Sequence, residues 1–106
     1  MKLSRLLLII LNLLLVTGSI YADDMDRKNC LALAKFGESA MKARQRGISI
    51  IDMHKAVEKE PEPVKKIMES IINEAFDFPI YKNLEYADVV ASEYSNQFYK
   101  ICISKE

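Results

Sequence analysis

Two cysteines near opposite ends of the chain, Cys30 and Cys102, constrain its fold more than any other feature of the sequence. If the chain is exported, an even number of cysteines in an oxidising compartment predicts a disulfide. The bridge would close a loop of about 73 residues and stabilise the fold by about 4 kcal/mol in the chain-entropy description. Two free thiols, or a bridge between two copies of the chain, are the alternatives.

The first 22 residues predict export, because they have the layout of a cleaved secretory signal peptide. Lys2 and Arg5 precede an apolar run over residues 6–16, and small polar residues then lead to Ala22 at the expected cleavage point. The run is shorter than the ~20 residues that cross a bilayer, which disfavours a retained membrane anchor. We therefore expect a single helical domain over residues 23–106, in the periplasm or secreted.

The charge of this domain argues against a nucleic-acid partner. Without Lys2 and Arg5, 13 basic residues stand against 15 acidic ones, a formal net charge of −2. Nucleic-acid-binding domains normally carry a basic excess. Residues 47–57 resemble the middle of a helix-turn-helix unit, but the predicted export and the charge balance both disfavour DNA binding.

Hydrophobic periodicity predicts an all-α fold, a small bundle of about four helices. Apolar side chains recur at helical spacing over about residues 25–46, and Gly47 is placed to end this first helix. Ser49 is a good N-cap for a second helix over residues 50–57, with Asp52 at the capping-box position.

Prolines delimit the third and fourth helices. Pro61 and Pro63 exclude a continuous helix, and Pro63 suits the first turn of a third one. The clearest amphipathic stripe of the chain follows over residues 64–76 and ends before Pro79. Asn83 can then cap the last helix, whose apolar face continues to Cys102.

Both cysteines fall on the apolar faces of their helices. Cys30 is near the start of the first helix and Cys102 is near the end of the last. A disulfide between them therefore predicts that these two helices lie side by side and antiparallel.

Arg44, Gln45 and Arg46 form a polar cluster at the end of the first helix. They are candidates for binding an anion or a carboxylate of a protein partner. The alternative, which we favour, is that the arginines compensate the helix dipole and are solvated.

The sequence contains no motif that is typical of an enzyme active site. His54 is the only histidine, and no nucleophile stands at a recognisable spacing from it, so we expect a surface or partly packed residue. Two cysteines and one distant histidine do not make a zinc site. We expect no catalytic residues, no metal and no cofactor.

Aromatic residues are concentrated in the C-terminal half of the chain. Phe78, Tyr81, Tyr86 and Tyr99 fall in the predicted loop after the third helix or off the main apolar stripe of the last helix. Exposed aromatics are typical of recognition surfaces. The alternative is that they cover the end of a small bundle.

The segments "CLALAKFGESAMKARQRG" and "QFYKICI", together with the signal peptide, resemble a group of small exported bacterial proteins, often prophage-encoded. These proteins have one cysteine near each end and an Arg-Gln-x-Gly segment, which Cys30, Arg44, Gln45, Gly47 and Cys102 would match. The resemblance implies an envelope location and a helical disulfide fold. It implies no activity and no catalytic residues.

Export, small size and the lack of catalytic motifs favour an interaction protein that binds another protein of the cell envelope, as an inhibitor, an immunity factor or a phage-exclusion factor. A periplasmic stress chaperone and a carrier of a small apolar ligand are the alternatives. No nucleic acid and no stable membrane anchor are expected after signal cleavage.

Overall fold

The structure, a computed structural model, describes residues 26–104, and the predicted signal peptide lies outside them. Helices dominate this part of the chain, and no strand occurs between residues 26 and 104. α1 occupies residues 26–45, α2 Ile50–Val57, α3 Val64–Ala75 and α4 Leu84–Ser104. The predicted all-α bundle of four helices is confirmed.

A disulfide joins the first and last helices, as predicted. Cys30 and Cys102 are bonded, with their Cα atoms 5.7 Å apart. Further along α1, the Ala34 carbonyl accepts a 2.8 Å hydrogen bond from the Ser95 hydroxyl. Residue numbers rise along α1, from 30 to 34, while those of their partners on α4 fall, from 102 to 95. The two helices are therefore antiparallel.

The joint between α1 and α2 is a Schellman turn. Gly47 has a φ of 82°, which is the left-handed region that glycine adopts without strain. The Gly47 N–H donates to the Arg44 carbonyl at 3.0 Å, and the Ile48 N–H donates to the Ala43 carbonyl at 3.1 Å. These two bonds satisfy carbonyls that the end of α1 would otherwise leave without partners.

Both predicted side-chain caps are present. The Ser49 hydroxyl accepts the Asp52 N–H at 3.1 Å at the start of α2. At the start of α4, Asn83 Oδ1 accepts the Tyr86 N–H, also at 3.1 Å. The starts of both helices therefore follow from local chemistry that is visible in the sequence.

The core lies between α2, the C-terminal parts of α1 and α3, and the middle of α4. Met41, Ile71 and Ile72 are its largest fully buried side chains. The apolar stripes extend beyond this core, because Val64 at the start of α3 and Ile101 near the end of α4 are exposed.

Candidate functional site

A cleft of about 440 Å³ opens between the α3–α4 loop, residues 76–83, and α4. Most of its lining is aromatic or aliphatic. Four rings and two valines make up this part of the lining: Phe78, Tyr81, Tyr86, Tyr94, Val89 and Val90. We call this feature the aromatic cleft.

Three of the four aromatic residues singled out in the sequence line the aromatic cleft. Phe78 and Tyr81 come from the loop, and Tyr86 comes from the first turn of α4. Tyr99 lies farther along α4, half-buried and outside this lining. The structure therefore separates Tyr99 from the other three.

The rings are arranged in two edge-to-face pairs. Tyr81 and Tyr86 have centroids 4.8 Å apart with an interplanar angle of 88°. Phe78 and Tyr94 have centroids 5.7 Å apart at 64°. Edge-to-face pairs are a favoured geometry between aromatic side chains.

The loop side of the aromatic cleft is held by Gln45, at the end of α1. Gln45 Nε2 donates to the Pro79 carbonyl at 2.8 Å, and Gln45 Oε1 accepts the Tyr81 N–H at 2.8 Å. One amide thus satisfies a donor and an acceptor of the loop backbone. The predicted partner residue Gln45 is engaged within the protein.

Arg44 holds the same loop through different atoms, which corrects the expectation that both arginines are solvated. Its Nε donates to the Phe78 carbonyl at 3.1 Å, and its guanidinium lies over the Phe76 ring, 4.7 Å from the centroid. Arg46 is exposed. The sequence could not distinguish them, because the loop that Arg44 contacts lies 34 positions away.

The charged residues that line the aromatic cleft are acidic. Glu74 at the end of α3 and Glu93 on α4 contribute carboxylates, and no arginine, lysine or histidine is among the described lining residues. Burial raises the pKa of the Tyr94 phenol well above its ordinary value, and the nearby charges of Glu74 and Asp77 raise it further.

Part of this lining was not predicted from the sequence. Glu93 and Gln97 were not among the predicted residues; they follow Tyr86 and Val90 at helical spacing and form with them a second stripe on α4, beside its core face. The i, i+4, i+7, i+11 spacing was the available signal. The stripe contains both polar and apolar side chains, so it does not give the uniformly apolar period that predicts a buried helix face.

His54 connects α2 to α3. Its Nε2 is 2.8 Å from Asn73 Oδ1, and its Nδ1 is 3.5 Å from a carboxylate oxygen of Glu69. These contacts agree with the expectation of a partly packed residue.

Residues 26–104 contain neither a membrane-spanning helix nor a metal-binding cluster. No helix in this part of the chain has the length and apolarity to cross a membrane. No three histidine, cysteine, aspartate or glutamate side chains of the described residues converge as a metal site would require.

Comparison of the chain with known protein families, curated proteins and solved structures gave no match.

Proposed function

We propose that the chain is a small exported interaction protein that binds another protein of the cell envelope through the aromatic cleft and catalyses no reaction. The exposure of the cleft residues carries this proposal. Tyr86 is 52% exposed and Val89 is 55% exposed, although both are large apolar side chains beside a concave surface. Tyrosine in such a position is typical of interface centres.

The rigidity of the loop supports a binding role. Gln45 and Arg44 fix its backbone at three groups, namely the carbonyls of Phe78 and Pro79 and the N–H of Tyr81. A surface that is already ordered loses less conformational entropy when it binds. The cleft therefore suits recognition of a partner without prior rearrangement of the loop.

The disulfide supports the proposed location. Bonds of this kind persist in the periplasm and outside the cell, and are rare in the reducing cytosol. The Cys30–Cys102 bridge is therefore consistent with an exported protein. An inhibitor, an immunity factor or a phage-exclusion factor would act there by occupying a surface of its target.

A carrier of a small apolar ligand is the second candidate. The volume of about 440 Å³ lies within the ~300–1,000 Å³ that is usual for small-molecule sites. In this case an apolar compound, and not a protein, would occupy the aromatic cleft.

Affinity capture from envelope extract tests the proposal. Tyr86→Ala removes a ring from the aromatic cleft, and Tyr99→Ala removes the matched ring from the same helix outside it. We expect wild type and Tyr99→Ala to retain one stoichiometric partner at neutral pH, and Tyr86→Ala to lose it.

Thermal unfolding of both variants would first establish that they remain folded. Capture of the same partner by Tyr86→Ala at wild-type yield would refute the proposal. Capture of many proteins at low pH only would indicate a chaperone instead. A small apolar compound that co-purifies with wild type and not with Tyr86→Ala would favour the carrier.

A further inference from the structure

We infer that the aromatic cleft receives an arginine side chain of the partner protein, flanked by apolar residues. The inference rests on the proposed function and adds the chemistry of the partner segment. It is drawn from the combination of aromatic rings, exposed valine surface and two carboxylates in one cleft.

The carboxylates favour a cation as the occupant. Glu74 and Glu93 come from two different helices and line the same cleft, and both are exposed. No basic side chain of the described residues lines the cleft to neutralise them. An anionic group placed there would face repulsion from both carboxylates, whereas a cation would be attracted by both.

The rings add a second attraction for a cation. Tyr81 and Tyr86 stand at 88° to each other, and Tyr86 is about half exposed. A cation over an aromatic face is attracted by the negative face of the ring. Burial raises the pKa of Tyr94, and the nearby charges of Glu74 and Asp77 raise it further, so carboxylates lie close to this ring.

Arginine fits these features better than lysine does. Its planar guanidinium stacks on rings and also presents a fork of N–H donors to carboxylates. The protein itself pairs Arg44 with the Phe76 ring at 4.7 Å in this way. The exposed side chain of Val89 offers apolar surface to the residues beside the arginine.

Two capped peptides test the inference directly on the disulfide-bonded protein. Acetyl-Leu-Arg-Leu-amide and acetyl-Leu-citrulline-Leu-amide have nearly the same shape, but only the first is charged. We expect the arginine peptide to bind about tenfold more tightly and to shift the backbone amide resonances of Tyr86, Val89 and Glu93. Equal affinity of the two peptides, or shifts confined to other residues, would overturn the inference.

Matched charge variants identify the carboxylates that act. Glu74→Gln with Glu93→Gln should abolish the preference for the arginine peptide. Glu60→Gln with Glu62→Gln changes the net charge equally at exposed positions outside the cleft and should preserve the preference. Equal loss in both double variants would mean that only net charge matters, and the inference would fall.

The capture experiment separates this inference from the proposed function. If Tyr86→Ala loses the envelope partner and the Glu74→Gln, Glu93→Gln variant retains it, the protein-binding function stands and the arginine assignment is wrong. Loss of the partner in both variants supports both proposals.

Discussion

The side-chain amide of Gln45 and the backbone N–H of Tyr81 are joined by a 2.8 Å hydrogen bond across 36 positions of the chain. The same amide donates to the Pro79 carbonyl. The Gln45 side chain therefore offers the loop one donor and one acceptor, as a backbone peptide group does. The end of α1 therefore determines where the loop rings stand.

Replacement of Gln45 by alanine tests this relationship. We expect Gln45→Ala to lower the free energy of unfolding by about 1–2 kcal/mol, because two backbone groups lose their partner. Hydrogen exchange at the Tyr81 amide should accelerate. Asn96→Ala, at an exposed position of α4 outside the aromatic cleft, is the control. An unchanged exchange rate at Tyr81 would show that the loop is held by other contacts.

Arg44 and Arg46 offer a matched pair at the end of α1. Both compensate the helix dipole, but only Arg44 contacts the Phe78 carbonyl and the Phe76 ring. We expect Arg44→Ala to lower the free energy of unfolding by about 1–2 kcal/mol and Arg46→Ala to change it by less than about 0.5 kcal/mol. Urea denaturation of both variants measures the difference, and equal midpoints would contradict it.

The two described glycines should respond in opposite directions to alanine. A Cβ on Gly37 would lie 3.5 Å from Tyr94 Cε2, an ordinary van der Waals distance, so Gly37→Ala should stabilise α1 by about 0.5–1 kcal/mol. A Cβ on Gly47 meets no atom within 4 Å, but its φ of 82° should make Gly47→Ala destabilising by about 1 kcal/mol. Denaturation midpoints that shift in the same direction for both variants would contradict this prediction.

Tyr94 should make stability depend on pH in the alkaline range. Its folded-state pKa is raised by burial, so the unfolded chain releases the phenolic proton first. The contribution of Tyr94 to the free energy of unfolding is therefore complete below the ordinary pKa of about 10, and it is lost as pH rises above that value.

Urea unfolding between about pH 8 and pH 11 measures this dependence. Tyr94→Phe should flatten the decline, and should cost about 1 kcal/mol at neutral pH because the 3.0 Å bond from the Tyr94 hydroxyl to the Ile71 carbonyl is lost. An identical alkaline decline in the variant would assign it to other groups.

The disulfide should act mainly through the unfolded chain. Reduction, or replacement of Cys30 and Cys102 by serine, should lower the free energy of unfolding by about 4 kcal/mol and leave much of the helical circular dichroism before denaturant is added. Peptide mapping without reductant should recover the cross-linked pair. Equal urea midpoints of the oxidised and reduced protein would contradict this expectation.

Features that depend on neighbouring residues were predictable from the sequence. The bounds of α2, Ile50–Val57, were predicted because Ser49 and Gly47 define its start through local caps. The antiparallel α1–α4 pairing was predicted because two cysteines permit one intramolecular connection and each lies on an apolar face.

Features that depend on the path of the loop were not predictable. Arg44 and Gln45 bind atoms 34 to 36 positions away, and helical spacing says nothing about where a loop turns after α3. The same limit applies to Glu74, which is an ordinary surface glutamate in the sequence and reaches the aromatic cleft only when α3 and α4 are packed together.

The bridge between Cys30 and Cys102 also determines how the protein responds to mechanical tension. A pull on the two ends of the chain passes from residue 30 to residue 102 through the disulfide, and does not load the helices that lie between them. In the oxidised protein the aromatic cleft is therefore shielded from such a force. Reduction would place the whole intervening segment in the line of tension.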